Sequence, residues 1–124
     1  MRDKVRVEEK GWGREKIFAS TSQYAGKLLV FDEPFSWMSV HFHGDKDETW
    51  YVLKGKFKIT WIDTDSAEEH HEELVEGDVW HNPPLFPHRL QALEAGSITI
   101  EVSTYDDWRD NYRVQPGDSQ NKKT

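Results

Sequence analysis

A chain of 124 residues is long enough to bury one core and too short for two. A formal net charge of −7 and a sequence pI near 5.3 exclude nucleic acid as a general partner, because neutralising phosphates needs a basic face. The absence of Cys excludes disulfides, thiolate ligands and a thiol nucleophile together, leaving a metal only nitrogen and oxygen donors. No stretch approaches the roughly 20 apolar residues of a membrane span, and Met1-Arg2-Asp3-Lys4 leads into no signal-peptide apolar region. The expectation is therefore a cytoplasmic protein with no membrane partner. With 6 Trp, 6 Phe and 4 Tyr among only 35% hydrophobic residues, the core must draw its apolar area from aromatics.

In chain order, residues 1–10 are charged, with Val5 and Val7 in weak alternation, an edge strand or a frayed arm. Gly11-Trp12-Gly13 is a turn with one aromatic anchor, and Lys27-Leu28-Leu29-Val30-Phe31 is a strand ending at Asp32-Glu33-Pro34. Trp37-Met38-Ser39-Val40 runs into His41-Phe42-His43, where a strand period of two puts both imidazoles on one face. Gly44-Asp45-Lys46-Asp47 has turn composition, predicting a hairpin that brings Glu48 toward the same spot. Residues 49–53 are almost continuously apolar, as in a strand buried on both faces, whereas Phe57, Ile59 and Trp61 alternate with Lys56, Lys58 and Thr60 and leave one wet face. Residues 63–73 read as an acidic hairpin loop with flanking strand ends, with His70 and His71 solvated among glutamates. Val79 and Trp80 lead to His81-Asn82-Pro83-Pro84, a strand end, and His88 follows. The late strand, residues 97–103, is expected to turn Ile98, Ile100 and Val102 inward against Thr99 and Glu101. Nine or ten short strands with frequent turn signals and almost no helical period predict an all-β barrel or sandwich.

Three imidazoles and one carboxylate, His41, His43, Glu48 and His88, thus form the candidate site for one divalent transition metal. Iron, manganese, nickel, cobalt, copper and zinc all accept such donors. The pattern His41-x-His43, four residues, Glu48, six residues, Gly55, then Gly77, five residues, Pro83, four residues, His88 resembles the two motifs of the cupin superfamily. That resemblance implies a double-stranded β-helix jelly roll, with residues 1–114 as a single cupin domain carrying an N-terminal arm and 115–124 as a polar, disordered tail. Three positions depart from the family pattern: Phe35 and Leu85 stand where members usually have Gly, and Ala92 where they have Asn.

A narrower likeness rests on Lys10-x-Trp12-Gly13-x-Glu15, His88-Arg89-x-x-Ala92, Glu101-Val102-Ser103, Asp106-Asp107-x-Arg109, Tyr112 and Arg113. These resemble the C-terminal cupin domain of type II phosphomannose isomerases. This implies metal-assisted aldose–ketose isomerisation of a sugar phosphate, of the mannose-6-phosphate isomerase type. Glu101, His81 or a metal-bound hydroxide would then move the proton, and Arg89 would bind phosphate or developing charge, with Lys10, Arg109 and Arg113 as further basic groups. A dioxygenase or lyase acting on a small organic acid would use the same ligands. A non-catalytic sugar- or metal-binding module is the remaining class. Short barrels with exposed edge strands pair, so a homodimer is expected.

Overall fold

The computed structural model describes residues 1–121. Its elements are β1 (Arg6–Lys10), β2 (Gly13–Ser20), β3 (Tyr24–Phe31), β4 (Val40–Phe42), β5 (Glu48–Lys54), β6 (Lys56–Ile62), β7 (Glu69–Val75), β8 (Val79–Asn82), β9 (His88–Ala92), β10 (Ser97–Thr104), β11 (Tyr112–Gln115) and the short α1 (Asp118–Asn121). Two antiparallel sheets form, one of six strands in the order β1-β2-β3-β10-β5-β8 and one of five in the order β11-β4-β9-β6-β7. This is the predicted jelly-roll barrel. No helix among the described residues is long and apolar enough to cross a membrane.

The core is aromatic, as the composition demands. Trp12 stacks on Phe31 at 4.4 Å, and Phe31 meets Phe57 edge-on at 5.2 Å, with Leu29, Trp50, Val52, Ile59 and Leu90 around them. Gly55 joins β5 to β6 at φ +82°, and a Cβ there would collide with Ser97, so the turn admits only glycine.

Three local expectations are corrected. Strand β5 is not buried on both faces: Trp50 and Val52 are buried, while Tyr51 and Leu53 are 44% and 47% exposed. Residues 63–73 form the expected hairpin loop and flanking strand end, since β7 begins at Glu69 and pairs with β6 along its whole length. Strand β10 carries the reverse of its expected parity. Ser97, Thr99 and Glu101 are buried, whereas Ile98 and Ile100 are half-buried and Val102 is 53% exposed. The described part of the tail, 115–121, is tied down: Trp37 and Asp118 exchange two hydrogen bonds, and Gly117 packs on the Met38–Ser39 backbone. Residues 122–124 lie outside the described part of the chain.

Two of the departures from the family pattern have a conformational cost. Phe35 and Leu85 both sit in the left-handed region at φ 65°, held there by Phe35 N–H donating to Ala92 O and Leu85 N–H donating to His43 O. Left-handed backbone costs a residue with a Cβ about 1–2 kcal/mol, partly offset by the entropy glycine loses on folding. Both side chains are exposed, so little burial is lost by removing them. Phe35→Gly and Leu85→Gly should each stabilise the protein by about 0.5–1 kcal/mol in urea unfolding.

Candidate metal centre

The tetrapeptide Gly44–Asp47 does not close a hairpin. It carries the chain from β4 in one sheet to β5 in the other, so the donors come from both walls of the barrel. Asp110 fixes this crossing: its carboxylate accepts from the amides of Gly44, Asp45 and Lys46 at 2.6, 2.9 and 3.1 Å. Burial pushes that carboxyl up, but the three amides outweigh it and hold it below its ordinary value. On the other wall β4 pairs with β9, placing His41 directly opposite His88. The ligating atoms of His41, His43, Glu48 and His88 all lie within 4.8 Å of one another.

Each imidazole is oriented by a backbone carbonyl. His41 Nδ1–H donates to Ser39 O at 2.9 Å, His43 Nδ1–H to Asp110 O at 2.7 Å and His88 Nδ1–H to Phe86 O at 2.7 Å. These partners assign the tautomer and turn all three Nε2 lone pairs toward the centre, the outer-partner arrangement of metal-binding histidines. Burial, followed by the nearby His88, holds His41 well below the ordinary imidazole pKa, and burial also lowers His43. Both are therefore neutral and competent as ligands at neutral pH.

The decisive atom is His88 Nε2. It is fully buried, has no hydrogen-bond partner and lies 2.9 Å from Glu48 Oε1. With the ring proton on Nδ1, a lone pair faces a carboxylate oxygen, and a cation between them removes the repulsion. The donor set and the orphaned nitrogen therefore fit a divalent metal.

Behind the ligands lies a buried charge network. Lys46 Nζ contacts Glu48 Oε2 at 3.2 Å, Glu101 Oε2 at 3.1 Å and Asp106 Oδ1 at 3.2 Å. Lys27 Nζ contacts Asp106 Oδ2 at 2.6 Å and Glu15 Oε1 at 3.5 Å. Trp50 Nε1–H donates to Glu101 Oε1 at 2.9 Å. Burial pushes Glu48 up, but the Lys46 ammonium at 3.2 Å overrides it and keeps the carboxylate ionised. Burial and the neighbouring Glu48 push Glu101 up to about 7. Two ammonium groups among four carboxylates leave an excess of negative charge, which a divalent ion balances.

The centre opens on a cavity of about 560 Å³, lined by His41, His43, Glu48, Glu101, Trp12 and Arg113 among others. Arg113 faces inward because its strand partner is His41. Arg6, Lys10, Lys27 and Lys46 also line the cavity, and each of these four has a carboxylate partner. Among the described residues Arg113 has none.

The structure thus gathers the four predicted ligands and Glu101, but not the other two candidates for catalysis. His81 lies on the outer face of β8 and pairs with Asp47. Arg89 alternates with His88 and points away from the cavity: it stacks on Trp37 at 4.1 Å and donates to Met38 O and Pro116 O, each at 3.1 Å. Neither lines the cavity. His70 stacks on Trp61, and His71 bonds Thr60 Oγ1, both on the β6–β7 ribbon away from the centre. Sequence reasoning missed Lys27, Lys46, Asp106 and Asp110. Lys27 had one legible signal: it shares strand parity with the buried Ala25, Leu29 and Phe31.

The comparisons agree with this architecture. The chain is 28% identical over 100 residues to oxalate decarboxylase OxdC of Bacillus subtilis, covering 78% of this chain and 25% of OxdC. It therefore spans about a quarter of the length of that relative. The solved oxalate decarboxylase of B. subtilis superposes with a TM-score of 0.77 at 19% identity, over 89% of this chain and 30% of that one. The capsular polysaccharide assembling protein CapF of Staphylococcus aureus gives 0.77 at 16%, over 92% and 33%. KdgF of Halomonas sp. gives 0.70 at 21%, over 86% of this chain and 96% of that one. None of these is a phosphomannose isomerase, so the narrower resemblance gains no support from them. The family profile of the cupins matches residues 10–116, and with two facing antiparallel sheets and three imidazoles and a carboxylate converging between them, this chain belongs to the cupin family.

Proposed function

We propose that this protein is a metal-dependent lyase acting on a small carboxylic acid, with His41, His43, Glu48 and His88 as ligands. The observation that carries the reading is the pairing of this donor set with one uncompensated cation, Arg113, in the same cavity. The likeness to oxalate decarboxylase, for which Mn(II) centres are described, supports the choice of substrate class and favours manganese. The metal would supply Lewis acidity and orient substrate oxygens at positions the four ligands leave open.

The chain's own residues supply the rest. Arg113 presents a planar fork to the substrate carboxylate one strand away from His41. Glu101, held near neutrality and fixed by Lys46 and Trp50, receives or returns a proton at an oxygen inside the cavity. Trp12, Met38 and Trp50 limit the space and exclude water.

A sugar phosphate is the weaker fit, since a phosphate dianion calls for two or three cationic groups and Arg89 points elsewhere. The test is turnover of a panel of small mono- and dicarboxylates by the manganese-loaded protein, following carbon dioxide release and oxygen uptake. Release without net oxygen uptake is expected. Fructose 6-phosphate formed from mannose 6-phosphate, with no acid turned over, would restore the isomerase reading. Ligand-induced thermal stabilisation without any product would mark a binding module. Arg113→Ala should raise KM roughly 10–100-fold with a smaller change in kcat, the size of a lost charge-assisted hydrogen bond.

A further inference from the structure

Arg89 is a buried cation that points away from the cavity. It is 9% exposed and makes no ion pair among the described residues, although a buried charge without a partner is costly. The guanidinium stacks over Trp37 and directs its fork at two carbonyls, Nε–H at Met38 O and Nη2–H at Pro116 O, both at 3.1 Å. One carbonyl precedes β4 and the other follows β11, so Arg89, from β9, ties the far end of β11 to the body of the five-stranded sheet.

Strand β11 needs such a tie. It is an exposed edge strand, and among the described residues its one ladder is to the short β4. The register breaks between Arg113 and Gln115, immediately past the residue that lies opposite His41. A strand with so little burial is prone to local opening. It is anchored at both ends instead. Three residues before Arg113, the Asp110 carboxylate takes the amides of Gly44, Asp45 and Lys46. Three residues after it, Pro116 O takes the Arg89 guanidinium. The chain beyond is fixed again. Gly117 lies too close to the Met38–Ser39 backbone to admit a Cβ, Trp37 and Asp118 exchange two hydrogen bonds, and Ser119 Oγ accepts from Gly11 N–H at 2.9 Å. Gly11 belongs to the turn between β1 and β2, so residues 116–121 cross toward the other sheet, and Ser119 and Gln120 line the cavity on the way.

We infer that Arg89 is a positioning residue for the substrate: with Asp118 it clamps residues 116–121, and the clamp holds Arg113 opposite His41, where its fork meets a carboxylate. The identity of that ligand rests on the small-acid reading; the clamp does not. Neighbours on β9 thus serve one site from opposite faces, His88 as a metal ligand and Arg89 by holding the wall that carries Arg113. An Arg113 already held in place loses less freedom on binding, so the clamp acts on substrate affinity and not on metal retention.

The test is a double-mutant cycle on the full manganese-loaded chain, with malonate as the probe and its dissociation constant read by calorimetry. Asp118→Ala, remote in sequence from the ligands, is the main variant and Arg89→Met the second, so a failure of Arg89→Met to fold leaves the test intact. Each should weaken malonate roughly 5–20-fold, within the range for residues coupled in one network, while metal content stays unchanged. In an Arg113→Ala background the same substitutions should cost less than about twofold, because the group they position is gone. Amide exchange by NMR on the metal-free protein gives a readout that needs no ligand. Residues 112–115 should lose protection roughly tenfold or more in both variants, and residues 57–61 of the β6–β9 ladder should not. Losses that persist in full without Arg113, loss of metal in Asp118→Ala, or unchanged protection over 112–115 would overturn the proposal. If malonate does not bind the wild type, the small-acid reading falls and exchange alone decides: lost protection over 112–115 upholds the clamp, and unchanged protection refutes it.

Discussion

His88→Ala should abolish metal retention. An outer partner of a ligand typically costs 10–100-fold in affinity when removed, and a ligand itself must cost more. Removing His88 also unsets the pair it makes with Glu48 Oε1, leaving that oxygen to Asn82 Nδ2 at 3.3 Å. His71→Ala is the matched control, because His71 touches Thr60 and not the centre. The pH dependence has a definite sign. Protons compete with metal for imidazole, and burial lowers the pKa of His41 and His43 in the metal-free protein. Metal release on acidification should therefore occur below the ordinary imidazole value of about 6.5. Equilibrium metal titration from pH 5 to pH 8 checks both points, and an affinity already collapsing above pH 7 would contradict the ligand assignment.

The second large effect is expected at Lys46→Met. The ammonium is buried against Glu48, Glu101 and Asp106, and removing one partner of such a group leaves uncompensated buried charge. The expected loss is about 3–5 kcal/mol in the metal-free protein, measured by urea unfolding. In the wild type, Glu48 and Asp106 are held below their ordinary values, so the stability they contribute is present at neutral pH and is lost as acid protonates them. Glu101 has the opposite sign: raised to about 7, it costs stability as pH rises from its ordinary 4.5 toward that value. Without Lys46 all three carboxylates move toward the Glu101 behaviour. The deficit of the variant should therefore be larger at pH 8 than at pH 5.5. A deficit that shrinks at high pH would show that Lys46 does not neutralise the cluster.

The barrel and its four ligands were legible because both signals are local. Strands bounded by Gly, Pro and Asp leave a period-two record, and His41, His43 and His88 interrupt it at positions where an imidazole has no packing reason to be. What misled was the assumption that apolar means inward. Around this cavity the interior is built of carboxylates and ammonium groups, so β10 turns Glu101 in and Ile100 out, and the same reversal exposes Tyr51 and Leu53 on β5. Lys46 hid in a stretch with turn composition, and only the strand crossing between sheets shows why it is buried. Arg89 looked catalytic from its place beside His88, yet strand alternation sends neighbours to opposite faces. Residues 115–121 carry no hydrophobic pattern, and their docking through Asp118 and Gly117 depends on the backbone of residues 37–39, which no local window contains.

Elemental analysis of the full chain, purified without chelator and then equilibrated with Mn(II), is the most direct trial of the metal centre. Close to one ion per chain is expected for the wild type and for His71→Ala, and essentially none for His88→Ala. A wild type that retains no metal, or equal retention in all three proteins, would contradict the assignment of His41, His43, Glu48 and His88.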